Sequence, residues 1–246
     1  HLFKSFGGIA AITDVSLSFP SASLTAIIGP NGAGKSTFFN LISGGLQPDS
    51  GSVVLDGTNL VGRSRADIIE AGIGRAFQVA KIFPSLTVEE SLLGAVTAQR
   101  NRAQDIQHRF PLPEMRDRML EVAEMLGLAD KLGVVSANLS HGDQKLLDIA
   151  LALVLDPKVL LLDEPTAGMG PDERWRMIER VHELWEREKL TLIFIEHDMD
   201  IVFKIAPKIC VLSYGKLLAD GTPAEIRDNP AVIEAYLGTG HEEAAA

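Results

Sequence analysis

Apolar residues recur along this chain with two different periods. Alternation around Ala11 to Phe19 and the β-branched run Leu24 to Ile28 predict strands, and a glycine-rich turn then leads into a helix from Lys35 to Ile42. Ser52 to Leu55, Gly74 to Phe77, Val159 to Leu162, Thr191 to Ile195, Ile209 to Ser213 and Leu217 to Ala219 read as further short strands. Between Gln78 and Leu155 the period lengthens. Pro113 opens a stretch in which Met115, Met119, Val122 and Leu126 are spaced four, three and four apart, and Gly127 closes it, the pattern of an amphipathic helix with start and stop signals. Trp175, Ile178, Val181 and Trp185 follow helical spacing after Pro171 and predict a core face. Strands alternating with helices on both sides of a helical stretch predict a mixed α/β core with a helical insertion at roughly 87–155. The last residues, Thr239 to Ala246, read as a frayed, disordered tail.

Composition narrows the classes. With 246 residues, 46% hydrophobic and 23% charged, the chain has enough apolar surface for one large globular unit and is not a disordered protein. Its longest apolar run, Ile149 to Leu155, is far short of a membrane span. A single cysteine, Cys210, excludes an intramolecular disulfide framework, fits a reducing compartment and reads as buried packing. Lys and Arg number 23 against 33 Asp and Glu, a net charge of −10 that repels a polyanion and argues against nucleic acid as a partner. Arg63, Arg65 and Arg75, and the run Arg100, Arg102 and Arg109, lack interleaved aromatics and read as solvated or partner-facing. Because the chain starts at His1 rather than a methionine, trimming of a short upstream segment is expected.

Four clusters carry chemistry. Gly29-Pro30-Asn31-Gly32-Ala33-Gly34-Lys35-Ser36-Thr37 is a glycine, four residues and Gly-Lys-Ser between a predicted strand and a predicted helix. Glycines let backbone N–H groups converge on phosphate oxygens, the helix terminus favours negative charge, Lys35 adds a cation and the Ser36 hydroxyl suits Mg²⁺. Val159 to Leu162 ends in Asp163 and Glu164, a buried strand delivering two acids to its exit. Neighbours on a strand face opposite ways, so both acids serve one site only if the strand ends there, and Pro165 marks that end. Asp163 is then expected in the metal shell and Glu164 beside the attacking water. Leu139-Ser140-His141-Gly142-Asp143-Gln144 precedes an apolar helix over 145–155, where Ser140 reads either as an N-cap or as part of a motif. Finally, Glu196-His197-Asp198 follows a β-branched strand, where His197 could bond a γ-phosphate.

Taken in order, these residues resemble the nucleotide-binding subunits of ABC transporters over nearly the whole chain. The resemblance implies an α/β fold, a P-loop NTPase core of ABC-ATPase type with an antiparallel β subdomain and an inserted helical subdomain. It implies one domain over 1–238, with a nucleotide-binding core at 1–86 and 156–238 and the helical subdomain at 87–155. ATP and Mg²⁺ are the implied ligands. Gly29, Asn31, Gly32, Ala33, Gly34, Lys35, Ser36 and Thr37 would hold the phosphates, Phe6 would stack on adenine and Ala11 lie against the ribose. Ser36, Gln78 and Asp163 would serve the metal, and Glu164, His197 and Gln78 the hydrolysis. Ser140 and Gly142 would touch the ATP of an opposite subunit, each nucleotide being sandwiched between two chains packed head to tail.

Two departures from the family pattern stand out. His141 and Asp143 occupy positions of the usual Leu-Ser-Gly-Gly-Gln, and Gly170 stands where an aspartate normally crosses the dimer interface. The implied partners are a second ATP-binding subunit, identical or not, two membrane-spanning permease subunits and a periplasmic binding protein, at the cytoplasmic face of a bacterial inner membrane. Ile82 and Phe83, after Gln78, are candidate contacts for the permease. The altered signature, Ala167-Gly168-Met169, the Ile195 to Asp200 stretch and the ending Ala235 to Gly238 resemble importers of branched-chain and other hydrophobic amino acids. Importers of urea, amides or aromatic acids, a lipopolysaccharide exporter and a non-transport ABC ATPase are the alternatives.

Overall fold

The computed structural model describes residues 1–99 and 113–238. In chain order the strands are β1 (Leu2–Phe6), β2 (Ile9–Val15), β3 (Leu24–Ile28), β4 (Val54–Leu55), β5 (Thr58–Asn59), β6 (Ile73–Ala76), β7 (Val159–Asp163), β8 (Thr191–Ile195), β9 (Lys208–Ser213) and β10 (Lys216–Gly221). The helices are α1 (Lys35–Ile42), α2 (Arg65–Ala71), α3 (Val88–Gln99), α4 (Pro113–Met125), α5 (His141–Leu153), α6 (Pro171–Glu188), α7 (Met199–Ile205), α8 (Pro223–Arg227) and α9 (Pro230–Gly238). They fall into two compact units, one of residues 1–71 with 191–246 and one of residues 72–190.

In the first unit, β3 lies between β8 and β9, parallel to both, and β10 pairs antiparallel with β9. Every residue of β3 and β8 is buried, which suits their apolar, β-branched sequences and forbids a solvated face. Helix α1 buries Phe38, Phe39 and Leu41. Three hairpins turn on residue pairs with positive φ, as two-residue type I′ loops demand: Asp56-Gly57 joins β4 to β5, Tyr214-Gly215 joins β9 to β10, and Gly7-Gly8 joins β1 to β2. The second of these braces the turn after β3, because the Gly215 N–H donates to the Ala33 carbonyl and the Thr13 N–H donates to Gly215. Cys210, on β9, is fully buried, and burial pushes its thiol up to about 12.

In the second unit β6 and β7 are parallel, and α5 packs on both. Helix α4 buries Met115, Met119, Val122, Ala123 and Met125, the face its periodicity predicts. On α6 the buried stripe is Met177, Ile178, Val181 and Leu184, while Trp175 and Trp185 lie half-exposed at its margins, so the predicted stripe is correct at its centre and rotated at its edges. Arg118 on α4 ties three segments together, donating to Glu188 at 2.9 Å and Glu121 at 2.9 Å and pairing with Asp156 at 2.7 Å.

Most predicted strands are found within one or two residues. The exception is the strand expected over 11–19, which starts at Ile9 and stops at Val15; Asp14 takes φ 55 near its end, and the segment leading to Pro20 leaves the ladder. The tail from Thr239, with Arg100, Arg102 and Arg109, lies outside the described residues.

Arg118→Ala strips one cation from three carboxylates, one of them largely buried, and is expected to lower stability by about 2 kcal/mol in a urea titration.

Candidate functional site

In the first unit, β3 ends at Ile28 and the chain turns sharply through residues 29–34 into α1. Gly29 takes φ 149, and a Cβ there would lie 2.1 Å from the Leu212 carbonyl oxygen, so no larger residue fits. Gly34, the residue before α1, takes φ 98, and a Cβ there would meet the Ala11 carbonyl at 2.6 Å. Between these two constraints the loop is closed on itself, Ala33 N–H donating to the Pro30 carbonyl. Lys35 is buried, and its ammonium donates to the carbonyls of Gly29 (2.7 Å) and Pro30 (3.0 Å). Backbone N–H groups at a helix start with a cation across the loop form a cradle for a phosphate chain. Asn31, Gly32, Ser36 and Thr37 belong to this loop and the first turn of α1, with Asn31, Gly32 and Ser36 exposed. Ala11 backs the cradle through its carbonyl, and Phe6, on β1, is 46% exposed with the Lys4 ammonium 5.5 Å from its ring. His197 leaves β8, the strand parallel to β3, at the same C-terminal edge, and its N–H donates to the buried Glu196 carboxylate at 3.1 Å.

In the second unit the acidic strand ends as its sequence requires. β7 stops at Asp163, and Glu164 takes φ 46, a left-handed turn that swings its side chain out of strand alternation. Its carboxylate accepts from the Gln78 carboxamide at 2.7 Å, which brings together two of the residues proposed above for hydrolysis. Asp163 is 6% exposed and accepts from Arg75 at 2.9 Å. Arg75, expected on the surface, is therefore a buried partner of the first acid. It sits on β6 opposite Leu161 of β7, a pairing that a single sequence cannot reveal because the two segments are far apart along the chain. Arg63 and Arg65 are exposed, as expected.

Ser140 is the N-cap of α5: its hydroxyl oxygen accepts from the Asp143 N–H at 3.2 Å and donates to the Asp143 carboxylate at 2.7 Å. Lys131 donates to the same carboxylate at 2.6 Å. Burial alone would raise the Asp143 carboxyl, and the bonds from Lys131 and Ser140 outweigh it, holding the group below the usual range. A pocket of about 260 Å³ opens beside Ser140 and Gly142, lined also by Met169, by the cations Lys131, Arg176 and Arg180 and by the acids Asp143 and Glu173. His141 donates from its ring to the Ala167 carbonyl at 3.3 Å, in the loop after Glu164. Val79 and Phe83 are exposed and Ile82 is half-buried.

Two residues absent from the sequence reading complete this unit. Lys145 and Asp148, on the buried face of α5, are 2% and 4% exposed. Nothing local in the apolar stretch 145–155 shows that their partners are backbone groups near residues 77–81 and 163.

Residues 12–167 match the ABC transporter family model, and residues 216–242 match the C-terminal model of branched-chain amino acid ATP-binding cassette transporters. The chain is 39% identical over 243 residues to the high-affinity branched-chain amino acid transport ATP-binding protein LivG of Salmonella typhimurium, covering 96% of this chain and 95% of that one. It is 37% identical to BraF of Pseudomonas aeruginosa, named in the same way, covering 96% and 95%. A nucleotide-free ATP-binding cassette from an ABC transporter superposes with a TM-score of 0.82 at 31% identity, covering 96% of each chain. The ADP conformation of MJ1267, also a cassette of an ABC transporter, gives 0.83 at 31% identity and the same coverage. This chain belongs to the ATP-binding cassette family of ABC transporters.

Proposed function

We propose that this chain is the ATP-hydrolysing subunit of an importer for branched-chain or other hydrophobic amino acids. The observation that carries the hydrolytic part is the left-handed turn at Glu164, which sets its carboxylate against the Gln78 carboxamide instead of leaving it on the far face of β7. The substrate class rests on the relatives, whose names give branched-chain amino acid transport.

In this reading the loop of residues 29–37 binds the triphosphate through its N–H groups and the Lys35 ammonium. The donor set also fits magnesium. Among the described residues no cluster of three or more His, Cys, Asp or Glu is available to cage a metal, and magnesium is characteristically held by few protein oxygens, one or two of them carboxylate, with the rest from phosphate and water. The Ser36 hydroxyl and the Asp163 carboxylate, with Gln78, would be those oxygens, and the ion would neutralise charge on the phosphates. Glu164 accepts a proton from water as the water oxygen bonds to the γ-phosphorus and the bond to the ADP oxygen breaks. Gln78 holds Glu164 in orientation, and His197 bonds the γ-phosphate. Phe6 and Ala11 face the adenosine, a role suited to an exposed aromatic ring on β1.

Ser140 and Gly142 would meet the γ-phosphate bound by a second ATP-binding subunit, so that ATP joins the two chains and its loss releases them. Among the described residues no helix is long and apolar enough to cross a membrane. The chain would therefore work at a membrane through permease subunits, docking them on the exposed surface of Val79 and Phe83 and the adjoining Ile82, with a binding protein selecting the amino acid outside. Its location would be the cytoplasmic face of a bacterial inner membrane.

Glu164→Gln is expected to keep ATP binding, to lower turnover by a factor of about 10² or more, and to accumulate a dimer on size exclusion in MgATP. Wild-type turnover by this variant would remove Glu164 from the mechanism. Phe83→Asp should leave the ATPase rate and thermal midpoint of the isolated chain unchanged while abolishing uptake of labelled leucine by cells that depend on it; undiminished uptake would count against the docking surface.

A further inference from the structure

Helix α5 buries two charged side chains one turn apart, Lys145 and Asp148. Taking both from water is costly, and apolar residues of similar volume would pack there with no such cost. Their contacts show what they do instead. The Lys145 ammonium donates to three carbonyls, those of Phe77 at 2.5 Å, Gln78 at 2.9 Å and Asp163 at 3.2 Å. The Asp148 carboxylate accepts two backbone N–H groups, Phe77 on Oδ2 at 2.7 Å and Lys81 on Oδ1 at 3.0 Å. Phe77 is thus gripped at both its N–H and its carbonyl by one helix. The Phe77 ring is held as well, with the Arg75 guanidinium 5.0 Å and the Lys81 ammonium 3.8 Å from its centroid. All these atoms lie within the unit of residues 72–190.

The geometry of this clip bears on chemistry. Lys145 links the backbone of Gln78 to that of Asp163, and the side chains just beyond these points, Gln78 and Glu164, meet at 2.7 Å. We propose that Lys145 and Asp148 are positioning residues that fasten the Gln78 loop and the exit of β7 to the helix beginning at Ser140, holding the Gln78 carboxamide on the Glu164 carboxylate. Loop, strand exit and helix N-terminus then move as one body. A displacement of the exposed Val79 and Phe83 surface is carried to Ser140 through the bonds that Lys145 and Asp148 make to the loop backbone. This inference rests on the hydrolytic reading of Glu164 given above.

The test compares Lys145→Met, which removes the donors, with Lys145→Arg, which keeps them. Lys145→Met should lower kcat at least 30-fold while KM and the dissociation constant for MgADP stay within threefold of wild type, and Lys145→Arg should recover kcat to within fivefold. A merely structural role would instead reduce the fraction of chain able to bind nucleotide and leave kcat per bound site intact, and that result would overturn the proposal. Should the methionine variant fail to fold, hydrogen exchange on the wild-type chain decides: the Phe77 and Lys81 amides are expected to exchange at least 10³-fold slower than an unprotected loop and together with the amides of α5. Exchange at the unprotected rate would overturn the clip. If wild-type protein releases no phosphate from MgATP, the hydrolytic reading falls by itself, and the proposal with it, while the exchange result still judges the clip as architecture.

Discussion

Strands buried on both faces can carry charge only where they stop. β3 and β8 are buried at every residue and β7 at all but its first, so a phosphate-binding or acidic group within any of them would be desolvated without a partner. Much of the chemistry proposed for this chain accordingly falls at the strand exits, and each exit uses a different device to leave the ladder. After β3 it is Gly29, whose neighbour Leu212 leaves no room for a side chain. After β7 it is the left-handed Glu164, and after β8 it is Asp198, which caps α7 by accepting from the N–H groups of Asp200 and Ile201. Polar function at these points is thus a consequence of how the apolar core is built.

The same constraint explains how much could be read from the sequence. A buried parallel strand is a short apolar run with an abrupt end, and Val159 to Asp163 followed by Pro165 is legible at once, as is the glycine pattern that opens α1. The family, the α/β class and the pairing of Gln78 with Glu164 in one cluster follow from such local signals or from resemblance. What was illegible is long-range. Arg75 looks like any exposed cation until β6 is laid against β7, when it becomes the buried partner of Asp163. Lys145 and Asp148 are two charges in a stretch that reads as an apolar helix, and their partners lie 68 and 71 positions away at Phe77. Helix periodicity reports which face is buried, and it fails where the buried face is satisfied by backbone.

The departures in the signature segment also acquire a physical meaning. Asp143 does not leave a bare negative charge beside Ser140, because Lys131 neutralises it and the serine hydroxyl is oriented by it on both its donor and its acceptor side. His141 reaches the Ala167 carbonyl in the loop that follows Glu164. In a chain with Gly170 in place of an aspartate, that contact gives the start of α5 a direct link to the segment after the acidic strand.

Cys210 has a practical consequence. It is the only cysteine in the sequence, it is fully buried on β9, and its thiol is pushed up to about 12, so at neutral pH almost none is present as the reactive thiolate. For thiol-directed spectroscopy the natural chain is already silent. A single cysteine introduced at an exposed position such as Val79 or Tyr214, each 79% exposed, could carry a spin label or fluorophore with no background from the native residue. Motions of the Gln78 loop and of the β9–β10 turn can then be followed in a chain that is otherwise unaltered.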